Sequence, residues 1–583
     1  MALYKYPRLS SQEMRLITLF PGEHEDAIRL TFSHHLLPAP EEQPPQIFSL
    51  QRLQETLPVD WKVHETIERR FLFENIKTGV TSWEHPHRSI TPALYMASPE
   101  NLDPSHHTTY EALSYTWGAM QHLETVYIEP STGPGSLTSS ATSTLRVGEE
   151  LALALRFLRH VDNPRTLWID ALCINQEDSR ERSEQVKHMP TIYRQAITVV
   201  SWLGPPSSES KIGLSTLQYL GAQLEITRQT FRLPSPECKE PDWFRSSFEL
   251  PYDSQTWQAI YDITKRAYFE RLWIWQEIQM ARRDAVMQCG QDKIPWHLFR
   301  RAAICLFEKD NIPSLEMREQ FRRLRPLTRV REVDSLNVLF SAISRRKCSE
   351  PKDKVYGLLG LGPPDFRKRI IPQYSSSVGD VYKNAFLTHL DLVNRLELIQ
   401  DYDLGNRQIQ APSWVPDWSV FQKNNSFAGL GLFASGVSGS QARYLPPNTL
   451  EVHGVQCSTV ATAGQLAPED VGQALAVIRK WEPADLEASY QATGESMVDA
   501  YVLTLCFNQH SGRSSSRTQR CLELQVLKAS FFDQISVTTG ARNTGTAGTY
   551  DAFWALDRTR GRKLFTTEDG HIGIGLSAAQ PGE

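Results

Sequence analysis

Several motifs are missing from this chain of 583 residues, and each absence removes a class of chemistry. There is no Gly-x-x-x-x-Gly-Lys-Ser/Thr loop to cradle a triphosphate, no His-Glu-x-x-His pair to hold a catalytic zinc, and no Gly-x-Ser-x-Gly nucleophile elbow. The eight cysteines, at 173, 238, 289, 305, 348, 457, 506 and 521, never fall into Cys-x-x-Cys spacing. A disulfide framework and a zinc knuckle are therefore not expected, and reduced thiols in a cytoplasmic protein are. His106-His107 sits in a polar turn and reads as a solvated pair, so no metal site is expected. No apolar run approaches the ~20 residues that span a bilayer, and the opening MALYKYPRLSSQEMR has no signal core, so neither a membrane span nor export is expected. Charge is nearly balanced, 62 Lys plus Arg against 67 Asp plus Glu, which predicts no nucleic-acid partner. Gly429-Leu430-Gly431 with Ala434 comes nearest to a dinucleotide fingerprint, but it neither follows a strand nor opens a helix and reads as loop.

What is present is an ordinary globular composition, 40% apolar, in a chain too long for one core. Residues 14–32 read as two short strands around Pro21-Gly22-Glu23, and a Pro-rich linker at 38–46 sets off the next unit. From Thr109 onward apolar strands alternate with helical patterns. Strands are expected at 112–117, 167–174, 198–203 and 285–289, with helices at 151–161, 179–196, 257–267 and 269–284. Pro190 is expected to kink the second of these helices, and residues 207–253 to loop out. Strand, helix, strand, helix, strand implies an α/β fold with a parallel sheet and right-handed crossovers. The stretch LWIDALCINQED, residues 167–178, is its centre: an apolar strand broken by one carboxylate, Asp170, and ending in a polar turn, where α/β sheets place their sites. The expected division is N-terminal strands at 1–45, a small all-β insert at 53–88, the α/β domain at 109–300, a helical region at 301–425 and a β-rich region at 426–583.

Residues 57–86 carry two tryptophans twenty-two apart, Trp61 and Trp83, with Phe73, Asn75, the turn Thr78-Gly79 and Pro86 between or after them. This pattern resembles a WW domain. The resemblance implies a buckle of Trp61, Phe73 and Pro86, and a ligand slot in which Trp83 stacks on proline of a polyproline II peptide. Leu72 stands where that slot has a tyrosine and Ile76 where a histidine is usual, so weak or no binding of Pro-rich peptides is expected.

Three strand-end clusters remain: Ala112 to Gly118 (ALSYTWG), Leu167 to Asp178, and Arg271 to Glu277 (RLWIWQE). Singly they read as a strand with a cap, a strand with a turn, and a helix whose Glu277 pairs with Arg271 or Arg282. Together and in this order they resemble the fungal heterokaryon-incompatibility (HET) domain. Asp353-Lys354-Val355-Tyr356 and Ser413-Trp414-Val415-Pro416-Asp417 resemble segments that commonly follow such a domain, and a C-terminal β unit ending soon after Gly573 to Leu576 is shorter than usual. HET domains are similar to TIR domains, with a flavodoxin-like parallel sheet and a helix carrying Trp-Cys-x-x-Glu. Trp273 and Glu277 have that spacing, with Ile274 in place of Cys. The resemblance implies a role in self/non-self recognition and programmed cell death, and cleavage of the nicotinamide-ribose bond of NAD(P) as substrate, with no resident cofactor. Glu277 is then the catalytic candidate. Ser114, Tyr115, Trp117, Gly118, Asp170, Asn175, Gln176, Asp178, Trp273 and Gln276 are the nucleotide-binding candidates. It equally implies a non-enzymatic alternative, a module that self-associates or joins another incompatibility protein, with the WW-like insert choosing the partner.

Overall fold

Short apolar runs such as TVVSW and RTLW form strands because their β-branched and aromatic side chains pack on both faces of a pleated sheet. In the computed structural model all residues are described except 1, 38–47, 96–108, 119–120, 131–140, 282–284, 310, 329–334, 400–403, 421–437, 508–555 and 557. His106-His107, the Pro-rich linker, Gly429-Leu430-Gly431 and Arg282 therefore lie outside the described residues. The chain divides into two units, one of Met1–Asp334, Arg346–Gly362 and Ile371–Ser376, the other of Ser335–Arg345, Pro363–Ile370 and Ser377–Glu583.

The first unit contains strands β1 (Glu13–Leu19), β2 (Arg29–Leu36), β3 (Trp61–Glu65), β4 (Phe71–Asn75), β5 (Thr81–Ser82), β6 (Glu111–Ser114), β7 (Leu123–Ile128), β8 (Ser143–Gly148), β9 (Arg165–Trp168), β10 (Thr198–Trp202), β11 (Leu224–Ile226), β12 (Arg232–Pro234), β13 (Val286–Cys289) and β14 (Asp292–Pro295). Nine of them make one mixed sheet in the order β14-β13-β10-β6-β9-β1-β2-β7-β8. Its centre is parallel: β9 beside β6, β6 beside β10, β10 beside β13. Taken in chain order, these four strands lie second, first, third, fourth. Connections therefore leave the sheet in opposite senses from β6 and β10, and the C-terminal ends of strands at such a reversal are where open α/β sheets bind ligands. The α/β reading holds at this level. Leu167, Trp168, Val199, Val200 and Trp202 are all at most 1% exposed, and each aliphatic among them contributes about 1.5–3 kcal/mol of burial.

Several expectations are corrected. The strand expected over 167–174 stops at Trp168; Asp170–Cys173 is one helical turn, because Asp170 Oδ1 accepts from the Ala171 amide and the Ile169 carbonyl takes the Leu172 and Cys173 amides. The helix expected over 179–196 is present as Ser179–Gln195, with Pro190 inside it. Residues 207–253 do not loop out. They hold the helix Ser210–Ala222, which packs so closely on its neighbours that a Cβ on Gly213 would lie 2.5 Å from the Ala259 carbonyl oxygen and one on Gly221 2.0 Å from that of Leu298. The helix expected over 269–284 is split into a 3-10 turn, Ala267–Glu270, and the helix Ile274–Met280, with Arg271 extended between them. Strands β7 and β8 extend the sheet beyond β2. In the second unit, strands β15 (Ala442–Leu445) and β16 (Thr449–Val452) pair together, and β17 (Val460–Ala463), β18 (Lys563–Thr567) and β19 (Ile572–Gly575) form a separate sheet. The helices Val471–Lys480 and Met497–Leu505 bury Ile478, Trp481, Tyr501 and Leu505 in a core with Leu564, Ile572 and Ile574, so this region is not β-structure alone.

Residues 61–82 form an antiparallel three-stranded meander, β3-β4-β5. One face, with Val63, Phe71 and Phe73, packs on Leu53 and Tyr95, and Trp61 joins that cluster. Register puts Lys62, His64, Leu72, Glu74 and Thr81 on the other face. That face is covered by the chain's own β11–β12 hairpin. Phe231 meets His64 with ring centroids 6.4 Å apart and lies under Lys62, while Thr81 Oγ1 donates to the Pro234 carbonyl at 2.8 Å. Leu72 is completely buried there, and the Arg70 guanidinium lies 3.5 Å from the centre of the Trp83 ring. A peptide slot open to solvent between Leu72 and Trp83 is thus not what these residues make.

Candidate active site

Glu277 lies on the first turn of the helix Ile274–Met280, and its amide donates to the Trp273 carbonyl at 3.1 Å, as one helical turn requires. It does not project to solvent. The side chain is 1% exposed and points at the C-terminal end of β6, where the Ser114 hydroxyl donates to its Oε2. Arg271 Nη1 stands 3.5 Å from the same oxygen. Among the described residues Oε1 has no hydrogen-bond partner. Ser114 Oγ is also 2.9 Å from the Tyr268 hydroxyl, which in turn is 2.8 Å from Ser201 Oγ on β10. A hydroxyl ladder therefore bridges the two strands at which the connections reverse, and it ends on a carboxyl group.

Burial pushes the Glu277 carboxyl up to about 7; Arg271 opposes this, Asp170 adds to it, and the Ser114 hydroxyl opposes it. A buried carboxyl in this range changes protonation near neutrality. Asp170 is raised for the same first reason, against the pull of Arg271. Its Oδ2 accepts from Trp117 Nε1 at 3.0 Å, so the indole is fixed over the turn that follows β9. Tyr115 is fully buried beside Asp170, Arg271 and Glu277, and burial, then the carboxylates, push its phenol well above the usual range. What the arrangement can do is hold a carboxylate, a guanidinium and an indole around one strand end, with water largely removed.

Residues 110–277 match the model of a family described as "Heterokaryon incompatibility protein (HET)". The match ends on Glu277 itself. The chain is also similar to "Heterokaryon incompatibility protein 6, OR allele" of Neurospora crassa, 28% identical over 411 residues, which cover 60% of this chain and 59% of that protein. It thus spans about three fifths of the length of this curated relative. No solved structure matches the chain.

Within the HET match, the residues expected at the site part into two groups. Ser114, Tyr115, Trp117, Asp170 and Glu277 come together as described. Gln176 supports them by donating to the Asp170 carbonyl at 3.0 Å. The others are turned to different tasks. Asp178 is exposed and caps the helix Ser179–Gln195 by accepting from the Arg180 and Glu181 amides. Asn175 Oδ1 accepts from the Glu177 amide, and the Asn175 amide donates to Glu181 Oε1 at 2.7 Å, so this residue shapes its own turn. Gly118, at φ +70° in the segment after β6, lies where a Cβ would meet the Glu150 side chain at 2.7 Å. Trp273 and Gln276 hold residues after 346, through Trp273 Nε1 to Asp353 Oδ2 at 3.0 Å and Gln276 Oε1 from the Gly360 amide at 3.0 Å. Tyr268 and Ser201 were not expected. A lone serine in TVVSWL was the available signal, since a hydroxyl in an otherwise apolar buried strand requires a partner. Among the described residues no helix is long and apolar enough to cross a membrane.

Proposed function

We propose that this chain acts in fungal self/non-self recognition of the heterokaryon-incompatibility kind, with programmed cell death as its output, and that residues 110–277 do so by hydrolysing the nicotinamide-ribose bond of NAD(P). The observation that carries the reading is Glu277: a buried carboxyl at the strand reversal, one oxygen held by Ser114 and Arg271 and the other without a hydrogen-bond partner among the described residues. Nicotinamide leaves a pyridinium as a neutral molecule, so its departure requires no general acid. What must be stabilised is the cationic ribose left behind, and a nearby carboxylate does this electrostatically, as in glycoside hydrolysis. In this reading Glu277 faces the ribose, the Trp117 indole stacks on a ring, and Arg271, 15% exposed, pairs with phosphate. The Glu277 proton sets the working range, since only the ionised form stabilises the cation. Expressed in a fungal host, wild type lowers cellular NAD and kills, and Glu277→Gln does neither while remaining folded. Equal toxicity of the two proteins would remove catalysis from the account.

A second reading rests on the same side chain. Glu277 is nearly sealed from solvent and ion-paired, as a structural carboxylate would be. The domain would then transmit its signal by self-association or by joining another incompatibility protein. Partner choice by the meander has less support, because the hairpin occupies the face it would use. Under this reading NAD is untouched and toxicity follows assembly, measured by sedimentation of wild type and of toxic and non-toxic variants.

A further inference from the structure

We propose that Arg346–Gly362, which lies beyond the HET match, is a clasp that positions Glu277. Its contacts fall on the stretch leading to that residue and occur in register. The Arg346 guanidinium donates to the Phe269 carbonyl. The Lys347 amide donates to the Glu270 carbonyl at 2.7 Å and its carbonyl accepts from the Leu272 amide at 2.9 Å, which forms a parallel bridge beside Arg271. Asp353, 8% exposed, accepts from Trp273 Nε1 through one oxygen and from the Tyr374 hydroxyl at 2.7 Å through the other. Gly360 donates to Gln276 Oε1 and lies so close that a Cβ there would be 2.8 Å from that oxygen. Residues 269, 270, 272, 273 and 276 are thus each held from outside, and Glu277 is the next in line.

This matters because the segment that carries Glu277 cannot hold itself. Arg271 is extended, and the helix after it has only seven residues, too few to be stable alone. Trp273 is the helix N-cap position, yet its side chain makes no capping bond; it reaches Asp353 instead. Fixing the Trp273 ring fixes the carbonyl that receives the Glu277 amide, and with it the phase at which the carboxyl meets Ser114. Catalytic geometry tolerates displacements of about half an ångström, so such external support has a function wherever a short helix presents the acting group. Asp353 and Gly360 are therefore positioning residues. That Glu277 acts on a substrate rests on the reading above; that the clasp places it does not.

Hydrogen exchange of the full chain tests the proposal directly. Trp273→Phe removes the indole N–H together with the five-membered ring that carries it, Asp353→Leu removes the acceptor, Asp353→Asn keeps an acceptor of the same shape, and Gly360→Val forces a side chain against Gln276. Peptides covering 269–280 should exchange about tenfold faster in Trp273→Phe, Asp353→Leu and Gly360→Val, with residues 198–202 unchanged. Asp353→Asn should retain wild-type protection. In the NAD assay the same three variants should lose about tenfold in kcat with KM within about twofold, and Asp353→Asn should be rescued. Wild-type protection over 269–280 in Trp273→Phe and Gly360→Val would overturn the clasp. So would equal opening in Asp353→Asn and Asp353→Leu. Should Asp353→Leu lose protection everywhere, Trp273→Phe and Gly360→Val still give the answer. If wild type consumes no NAD, the catalytic reading falls and the exchange pattern alone judges the clasp.

Discussion

At Glu277, two demands meet on one carboxyl group: burial favours the protonated form, and Arg271 favours the charged one. Because the folded chain holds this proton up to about pH 7 while an unfolded glutamate releases it near 4.5, the native state binds more protons between those values. Stability from this group therefore falls as pH rises through that window, and the cost is complete above it. Glu277→Gln removes the dependence. Urea unfolding at about pH 5 and about pH 8 should show a smaller difference for the variant than for wild type. Ser114→Ala should cost about 1–3 kcal/mol, since it leaves a buried carboxylate oxygen with one donor fewer and the Tyr268 hydroxyl with one partner fewer; a shift of urea midpoint at constant slope measures it.

Among the elements, the helix Ser210–Ala222 shows how local sequence conceals a packed structure. SKIGLSTLQYLGA has two glycines and weak helix formers, so it reads as part of a polar insertion. Its glycines are where neighbouring backbones come nearest, and that proximity is a tertiary fact. Gly221→Ala should destabilise by about 1–3 kcal/mol or more, seen as a lower urea midpoint, although alanine raises helix propensity. The same distinction separates what was readable in the site from what was not. Ser114, Trp117, Asp170 and Glu277 stand at the ends of contiguous runs, so a strand–turn pattern locates them. Ser201 and Tyr268 carry no motif of their own: the pairing of β6 with β10 sets Ser201 opposite Ser114, and the 3-10 turn Ala267–Glu270 brings the Tyr268 hydroxyl between them. Asp178 and Asn175 were selected by position in the motif, and the physics of helix starts uses both. For the meander, alternation told which residues share a face, but not that Phe231 and Pro234, some 150 residues on, would cover it. Titration of the whole chain with a Pro-rich peptide should give no saturable signal, and Trp83→Ala should leave the titration unchanged.

Within the first unit, a buried charge cluster ties the meander to the β11–β12 hairpin and to the helix Trp296–Leu306. Arg301 pairs with Glu225 at 2.6 Å and Glu68 at 2.9 Å, and burial, opposed by Arg301, pushes Glu225 up to about 7. Removing the arginine leaves two carboxyl groups facing each other out of water. Arg301→Leu should cost about 3–5 kcal/mol, more at pH 8 than at pH 5, where the carboxyls can escape by protonation; unfolding followed at both values checks this.

The sheet order also sets a timetable. β1 pairs with β9, Thr18 opposite Thr166, so the N-terminal hairpin, complete at Leu36, must wait for about 130 further residues before its inner edge is covered. At ribosomal rates of ~5–20 residues per second that is roughly 6–26 s, during which an apolar strand with open hydrogen-bonding groups is exposed. Glu13 and Arg15 at the start of β1 put charge on that edge, and Arg15 later becomes the buried partner of Glu181. Newly made chains are thus most vulnerable to aggregation, and most in need of a chaperone, in the interval between synthesis of β2 and of β9.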